Sequence, residues 1–113
     1  MASPAAGAGL VGQYAVIRLR QVKADLSVEE VMGTIRDDFV PLIQAIPGFV
    51  SYIGIANPAS PRTAFVSVYA DKVGADESNR VAAEWLEENG YDWFEGEPDI
   101  AEGAIEIAAE GAP

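Results

Sequence analysis

The chain has 113 residues with neither His nor Cys, and its 18 acidic and 7 basic side chains give a net charge of -11 at pH 7. The missing imidazoles and thiols exclude the groups that most small enzymes use as bases, nucleophiles or N/S metal ligands. The excess negative charge repels polyanions, so nucleic acid and anionic membrane surfaces are excluded as favourable partners.

Composition also predicts one domain and its bounds. Residues 1–12 are rich in Ala, Gly, Ser and Pro and lack a basic segment, so we interpret them as a flexible leader and not as a signal peptide. The domain is expected over residues 13–110, with a loose tail at 111–113. No run approaches the roughly 20 apolar residues that span a bilayer, and the lack of Cys makes the cytoplasm the expected compartment.

The first two predicted elements are a strand and a capped helix. Residues 13–20 (QYAVIRLR) are β-branched and alternating, which predicts strand 1. Ser27 and Glu30 have the spacing of a capping box, and apolar residues then recur with a helical period as far as Ile46. Pro41 removes a backbone donor and clashes with the preceding turn, so the helix either kinks there or a second helical turn starts with it.

The second half of the chain predicts a hairpin, a helix and a last strand. Residues 49–56 and 63–70 have strand patterns and are separated by a turn-rich connection, which predicts a hairpin. Asp71 is the expected N-cap of the second helix, and residues 89–90 (Asn-Gly) its stop. Residues 104–108 (AIEIA) alternate and predict the last strand.

The order β-α-β-β-α-β is that of an α+β, ferredoxin-like fold: a four-stranded antiparallel sheet with two helices on one face. Strands 1, 2 and 3 carry apolar residues on both faces, and the helices cover only one of them. An uncovered apolar sheet is a large patch of the kind that marks an interface. A second copy of the same sheet is the simplest partner, so we expect a homodimer that packs through this sheet face.

Several segments together resemble a known superfamily: YAVIRLR in strand 1, FVPL at 39–42, IPGFVSY at 46–52, VSVYAD at 66–71 and ESNRVAAEW at 77–85. From Gln13 to Ala108 the chain is similar to the dimeric α/β-barrel superfamily, near its antibiotic-biosynthesis-monooxygenase-like domains. The resemblance implies that two sheets form a barrel across the dimer and that each subunit has a pocket between sheet and helices. It also implies cofactor-free oxygenation of electron-rich aromatics, small-molecule isomerisation or no known activity. Its haem-handling branches typically use a His, which this chain lacks, so no cofactor is expected.

Five side chains are candidates for such a pocket: Ser67, Tyr69, Trp85, Asn79 and Arg18. Tyr69 can donate a hydrogen bond to a phenolate or enolate, although a Tyr in a strand more often packs against a helix. Ser67 lies two residues away on the same strand face. Trp85 offers a wall for a flat ligand, although a Trp on an apolar helix stripe more often belongs to the core.

Arg18 belongs to the one basic cluster, together with Arg20 and Lys23. This cluster can bind a ligand carboxylate in a forked geometry, or it can pair with acidic residues across the dimer, which we favour. Asn79 lies near the start of the second helix and is either solvated or directed at the pocket mouth. No P-loop, dinucleotide fingerprint, zinc motif or nucleophile elbow is present, and no residue is assigned a catalytic role.

Two classes of function therefore stay open. The first is a cofactor-independent monooxygenase or isomerase acting on a small apolar or aromatic molecule, whose anionic intermediate the pocket stabilises. The second is a non-catalytic dimer that binds a small ligand or has a stress-linked accessory role. An open cavity lined by Ser67, Tyr69 and Trp85 favours the first class, and a filled interior favours the second.

Overall fold

The computed structural model of the chain describes residues 9–90 and 92–112. Its sheet consists of β1 (Tyr14–Val22), β2 (Phe49–Ala56), β3 (Arg62–Tyr69) and β4 (Phe94–Ala104). The strands lie in the order β2-β3-β1-β4, and every neighbouring pair is antiparallel. This arrangement is that of the split βαβ fold, so the predicted ferredoxin-like architecture is confirmed.

Two helical segments connect the strands and pack on one face of the sheet. The first segment consists of α1 (Val28–Thr34), a π-helical turn (Ile35–Phe39) and α2 (Val40–Gln44). The second is α3 (Lys72–Asn89), which ends at the predicted Asn-Gly stop.

Both predicted helix starts are confirmed by their caps. The Ser27 hydroxyl accepts a hydrogen bond from the Glu30 amide at 3.2 Å, and the Asp71 carboxylate accepts one from the Gly74 amide at 3.3 Å. Each bond satisfies an amide that the first turn of a helix leaves unpaired. Of the two reciprocal bonds of a capping box, the described residues form only the one to Ser27.

The π-helical turn explains how the first helical segment passes Pro41. The Val40 amide donates to the Ile35 carbonyl, five residues back, instead of four. Pro41 follows in the first turn of α2, where its missing N–H and its ring would disrupt a regular α-helical ladder. The wider π turn absorbs this disruption, so the helical run continues through Pro41 while a new α-helical turn begins there.

The position of the last strand differs from the prediction. Residues 104–108 were expected to form it, whereas β4 runs along β1 from the pair Val22–Phe94 to the pair Tyr14–Ala104. β4 contains two glycines and Pro98, which are poor strand formers, so no periodic pattern marks it. It is an edge strand, where a proline is tolerated because one side of the backbone needs no partner.

The two faces of the sheet differ in what covers them. Side chains alternate along a strand, so Val16, Phe65 and their in-register neighbours point towards the helices, and those two are buried in the core. On the opposite, open face, Ile17, Leu19, Ile53 and Ile55 are between 40% and 55% exposed. The connected core cluster therefore lies on one side of the sheet, while the other side presents an apolar surface on which Val68 is buried.

The ends of the described chain contact each other. The Gly12 amide donates to the Ile105 carbonyl at 2.9 Å, which extends the pairing of β1 with the chain beyond β4. Residues 1–8 and Pro113 lie outside the described residues, so the leader, the tail and the domain bounds at 13 and 110 stay predictions. Within residues 9–90 and 92–112, no helix is long and apolar enough to cross a membrane.

Candidate ligand-binding site

A cavity of about 190 Å³, partly open to solvent, lies between the helix-covered face of the sheet and α3. All four strands, the π-helical turn and α3 contribute to its walls. A cavity of roughly 150 Å³ in another protein holds one benzene molecule, and drug-sized ligands occupy roughly 300 Å³ or more. The volume therefore suits a single substituted ring.

The apolar walls of this cavity are aromatic and tightly packed. Phe39, from the π-helical turn, lies with its ring centroid 5.2 Å from that of Trp85 on α3. Phe65 and Phe94, from two different strands, meet edge to face at 6.2 Å. Such edge-to-face and tilted contacts hold rings in fixed orientations, so the walls present rigid aromatic faces to a flat ligand.

Arg18 is half-buried on β1 and reaches across the cavity to α3. Its guanidinium Nη2 donates to the Asn79 side-chain carbonyl, and in the described part of the chain no carboxylate lies within 4 Å of it. Burial lowers the pKa of Arg18, but a guanidinium stays charged near neutral pH. The Asn79 amide group donates to no other described residue, so both side chains keep donors for a ligand.

Arg20 lies two residues further along β1 and is held by β4. Its guanidinium carbon is 4.6 Å from the centroid of the Phe94 ring, and Nη2 donates to the Gly96 carbonyl at 3.0 Å. That carbonyl belongs to a bulge: residues 96–98 face Arg20 alone, between the pairs Leu19–Asp99 and Gln21–Glu95. Gly96 has a φ of 62°, which a glycine adopts without strain. The bulge thus directs a carbonyl at the guanidinium.

The remaining polar groups of the cavity are hydroxyls, among them those of Tyr52, Ser67 and Ser78. Burial raises the pKa of Tyr52 far above its ordinary value, more strongly than the charge of Arg18 lowers it. Tyr52 is therefore protonated at neutral pH, when it can donate a hydrogen bond but cannot act as a base. No carboxylate lines the cavity among residues 9–90 and 92–112, and no acidic cluster there could hold a metal ion.

The structure brings four of the five candidate residues to this cavity: Arg18, Ser67, Asn79 and Trp85. Tyr69 is not part of the cavity lining: it is fully buried, with its ring edge to face with Phe49 at 5.8 Å. Burial raises the pKa of Tyr69, and the neighbouring Ser78 hydroxyl and Arg18 lower it. The Ser78 hydroxyl lies close enough to affect this pKa, but by distance and angle the Tyr69 hydroxyl forms no hydrogen bond with the described residues.

Sequence reasoning did not place Tyr52, Phe39 or Phe94 at this site. Tyr52 pairs with Ser67 in the hairpin register, so the two side chains share a face of the sheet. That register would have identified Tyr52, but a hairpin with a long loop leaves its register open. Phe94 lies in a segment that carries no strand pattern in the sequence; it begins β4 and is buried.

Comparison with known proteins shows similarity at the level of the fold. No family model matches the chain, and no curated protein matches it. A monooxygenase of Streptomyces coelicolor, solved with the ligand nanaomycin D, is 16% identical, with a TM-score of 0.71 over 92% of this chain and 96% of that one. A Nitrosomonas europaea protein of unknown function is 19% identical, with a TM-score of 0.70 over 93% and 100%. A dimeric ferredoxin-like protein from an uncultured marine organism is 14% identical, with a TM-score of 0.62 over 82% and 94%.

These likenesses define the structural class of the chain. At 14% to 19% identity they show the fold and not the activity. The chain has the ferredoxin-like fold of proteins that include a monooxygenase, proteins of unknown function and a dimer. The resemblance predicted from the sequence is therefore confirmed for the fold.

The unsatisfied hydroxyl of Tyr69 leads to a test of its role. A buried hydroxyl without a partner costs about 1–3 kcal/mol of desolvation free energy, so Tyr69→Phe should leave the free energy of unfolding unchanged or raise it by about 1 kcal/mol. Tyr14→Phe is the matched control, because its hydroxyl donates to Glu102 at 2.8 Å on the surface and its loss should destabilise slightly. Urea unfolding measures both, and a loss above about 1 kcal/mol for Tyr69→Phe contradicts a purely packing role.

Proposed function

We propose that the protein is a cofactor-independent monooxygenase or isomerase that binds a small aromatic molecule as its anion, with the oxyanion at Arg18 and Asn79. One observation carries this proposal: a half-buried guanidinium without a carboxylate partner among the described residues, in a chain with 18 acidic side chains. Removing a charge from water without a partner is costly, and a bound anion would offset that cost.

The aromatic walls and the two hydrogen-bond donors would bind different parts of the ligand. A flat ring would lie against Trp85 and Phe39, while its phenolate or enolate oxygen accepts hydrogen bonds from Arg18 and from the Asn79 amide group. Donors that are already oriented in a site shielded from water stabilise such an anion more than water does. The bound substrate would therefore ionise more readily than the free one.

The anion is the species that reacts in both proposed chemistries. In oxygenation, the ionised ring supplies the electrons to O₂: a ring C–H becomes a second carbonyl of a quinone, one oxygen atom enters the product, and the other leaves as water with the hydrogens of the C–H and O–H groups. In isomerisation, the same anion is protonated at a different atom. The similarity in fold to the Streptomyces coelicolor monooxygenase supports the first of these.

A substitution of Arg18 tests whether the site stabilises an oxyanion. A charge-assisted hydrogen bond contributes about 1.5–3 kcal/mol, so bound 4-nitrophenol should titrate about one to two pKa units lower than free 4-nitrophenol. Absorbance of its phenolate, followed against pH with saturating protein, measures this shift. Arg18→Gln should abolish the shift, and Arg62→Gln should retain it, since exposed Arg62 is no part of the cavity lining. A shift that survives Arg18→Gln contradicts the proposed role of Arg18.

Oxygen consumption tests the catalytic half of the proposal. With catechol or methylhydroquinone as substrate, the wild-type protein should consume O₂ well above the protein-free rate, with no metal or cofactor added. Arg18→Gln should lower that rate by about tenfold or more, because the loss of one oriented charged donor raises the barrier. Equal rates for wild type and Arg18→Gln, measured with an oxygen electrode, would count against catalysis at this site.

The second candidate is a protein that binds the same kind of ligand without converting it. The observation that favours it is the lining of the cavity, in which the described residues include neither a carboxylate nor an ionised tyrosine to serve as a base. A substrate must then lose its proton to water, which limits catalysis to acidic phenols and enols. Tight binding of 4-nitrophenol without O₂ uptake or isomerisation of any tested phenol would select this candidate.

For assembly, we infer that two copies pack through the open face of the sheet. That face presents Ile17, Leu19, Ile53 and Ile55, each at least 40% exposed, which is unfavourable for a monomer in water. A two-fold contact covers the same patch on both subunits. The cavity lies on the opposite face of the sheet, so this dimer leaves its opening free.

A charge placed on the open face tests this dimer. Sedimentation velocity should show a dimer for the wild-type protein and a monomer for Ile53→Glu, because the substitution buries two unpaired carboxylates at a two-fold interface. Ile107→Glu is the matched control: Ile107 is 90% exposed beyond the last strand, and its variant should stay dimeric. A wild-type monomer, or a dimeric Ile53→Glu variant, would contradict packing through this face.

A further inference from the structure

We propose that Arg20 forms a second anion subsite, which binds a carboxylate of the ligand, so that the ligand is a single-ring aromatic acid. The inference rests on the proposed function, because it names the class of ligand for the same cavity. Arg18 would face the phenolic or enolic oxygen of this ligand, and Arg20 its carboxylate.

The guanidinium of Arg20 has fewer hydrogen-bond partners than its burial requires. Its Nε is buried without an acceptor, and Nη2 donates to the Gly96 carbonyl, which is a neutral group. Nη1 donates to no described residue, and the other close contact is the Phe94 ring. Glu97 contributes an attractive charge, but none of the described carboxylates comes within 4 Å of the guanidinium. The missing partner is therefore an acceptor, and preferably a charged one.

The contrast with the other basic residues strengthens this assignment. Four of the seven basic side chains form ion pairs with carboxylates outside the cavity: Lys23, Arg36, Lys72 and Arg80. Carboxylates are thus abundant, and Glu95, Glu97 and Asp99 share a surface groove with Arg20, yet none of the described carboxylates comes within 4 Å of the Arg18 or Arg20 guanidinium. The remaining basic residue, Arg62, also lacks an ion pair but is exposed to water. Two unpaired guanidiniums that repel each other inside one cavity are stabilised by a ligand that brings negative charge to both.

The geometry of β1 places Arg18 and Arg20 next to each other on one face of the sheet. Residues two apart on a strand share a face, and their Cα atoms lie about 6.6 Å apart. A benzene ring with an oxygen and a carboxylate at opposite positions is long enough to extend from one arginine towards its neighbour on the strand. A cavity of about 190 Å³ holds such a ring and little more.

The bulge in β4 fixes the orientation of the Arg20 guanidinium, so Arg20 can recognise the shape of a carboxylate as well as its charge. The Gly96 carbonyl and the Phe94 ring fix the guanidinium from two sides, so little side-chain entropy is lost when a ligand binds. A fixed guanidinium presents paired N–H groups that match the two oxygens of a carboxylate. A neutral amide of the same shape offers one acceptor and two donors, which suits this group poorly.

Calorimetric titration with two ligands of equal shape tests the inference. Wild-type protein should bind 4-hydroxybenzoate about tenfold or more tightly than 4-hydroxybenzamide, because only the acid offers a charged acceptor to Arg20. Arg20→Gln should remove this preference while the affinity for the amide changes by about twofold at most. Arg62→Gln removes the same charge from an exposed position and should retain the full preference.

The outcomes separate this inference from the proposed function. If wild-type protein binds both ligands equally, or if Arg20→Gln still prefers the acid, the assignment of a carboxylate subsite is wrong. The assignment of the cavity as a ligand-binding site is then unaffected. If wild-type protein binds neither ligand, the cavity itself is misassigned and both proposals are overturned. Arg20→Lys keeps the positive charge but lacks the forked guanidinium, so it should show an intermediate preference for the acid. This variant tests the inference even if Arg20→Gln misfolds.

Discussion

The pairing of β1 with both of its neighbours is the constraint on which the rest of the structure depends. β1 lies inside the sheet, bonded to β3 on one side and to β4 on the other, so its side chains must alternate strictly between two faces. Val16, Arg18 and Arg20 consequently point to the helices, and Ile17 and Leu19 to the open face. One strand therefore supplies the charges of the cavity and part of the apolar surface that we assign to the dimer.

The cavity exists because rigid groups surround those charges without filling the space between them. The π-helical turn, which accommodates a proline, brings Phe39 against Trp85, and the bulge in β4 turns a carbonyl towards Arg20. Both features are local irregularities of regular elements, of the kind that often re-aim side chains near functional sites. The result is an aromatic cavity with positive charge in a protein whose net charge is -11.

The chemistry open to this cavity follows from what its described walls contain and from what they lack. Guanidinium, amide and hydroxyl donors stabilise an anion, while burial keeps Tyr52 protonated, so the site favours binding an ionised ligand over removing a proton. Of the residues singled out from sequence, Arg18 and Asn79 meet in this role. Tyr69, which was the most direct candidate for a donor, is buried outside the cavity lining, and its hydroxyl forms no hydrogen bond with the described residues.

The sequence by itself determined the order of elements, the caps at Ser27 and Asp71 and the apolar character of both sheet faces, because these depend on residues close together in the chain. It did not locate β4, whose glycines and Pro98 carry no strand pattern, since that strand exists by pairing with β1, about 80 residues earlier. The tertiary structure alone decided which side chains line the cavity and which, like Tyr69, are buried elsewhere in the core. That choice depends on strand register and on the packing of helices, which join residues far apart in the chain and have no signal in any local segment.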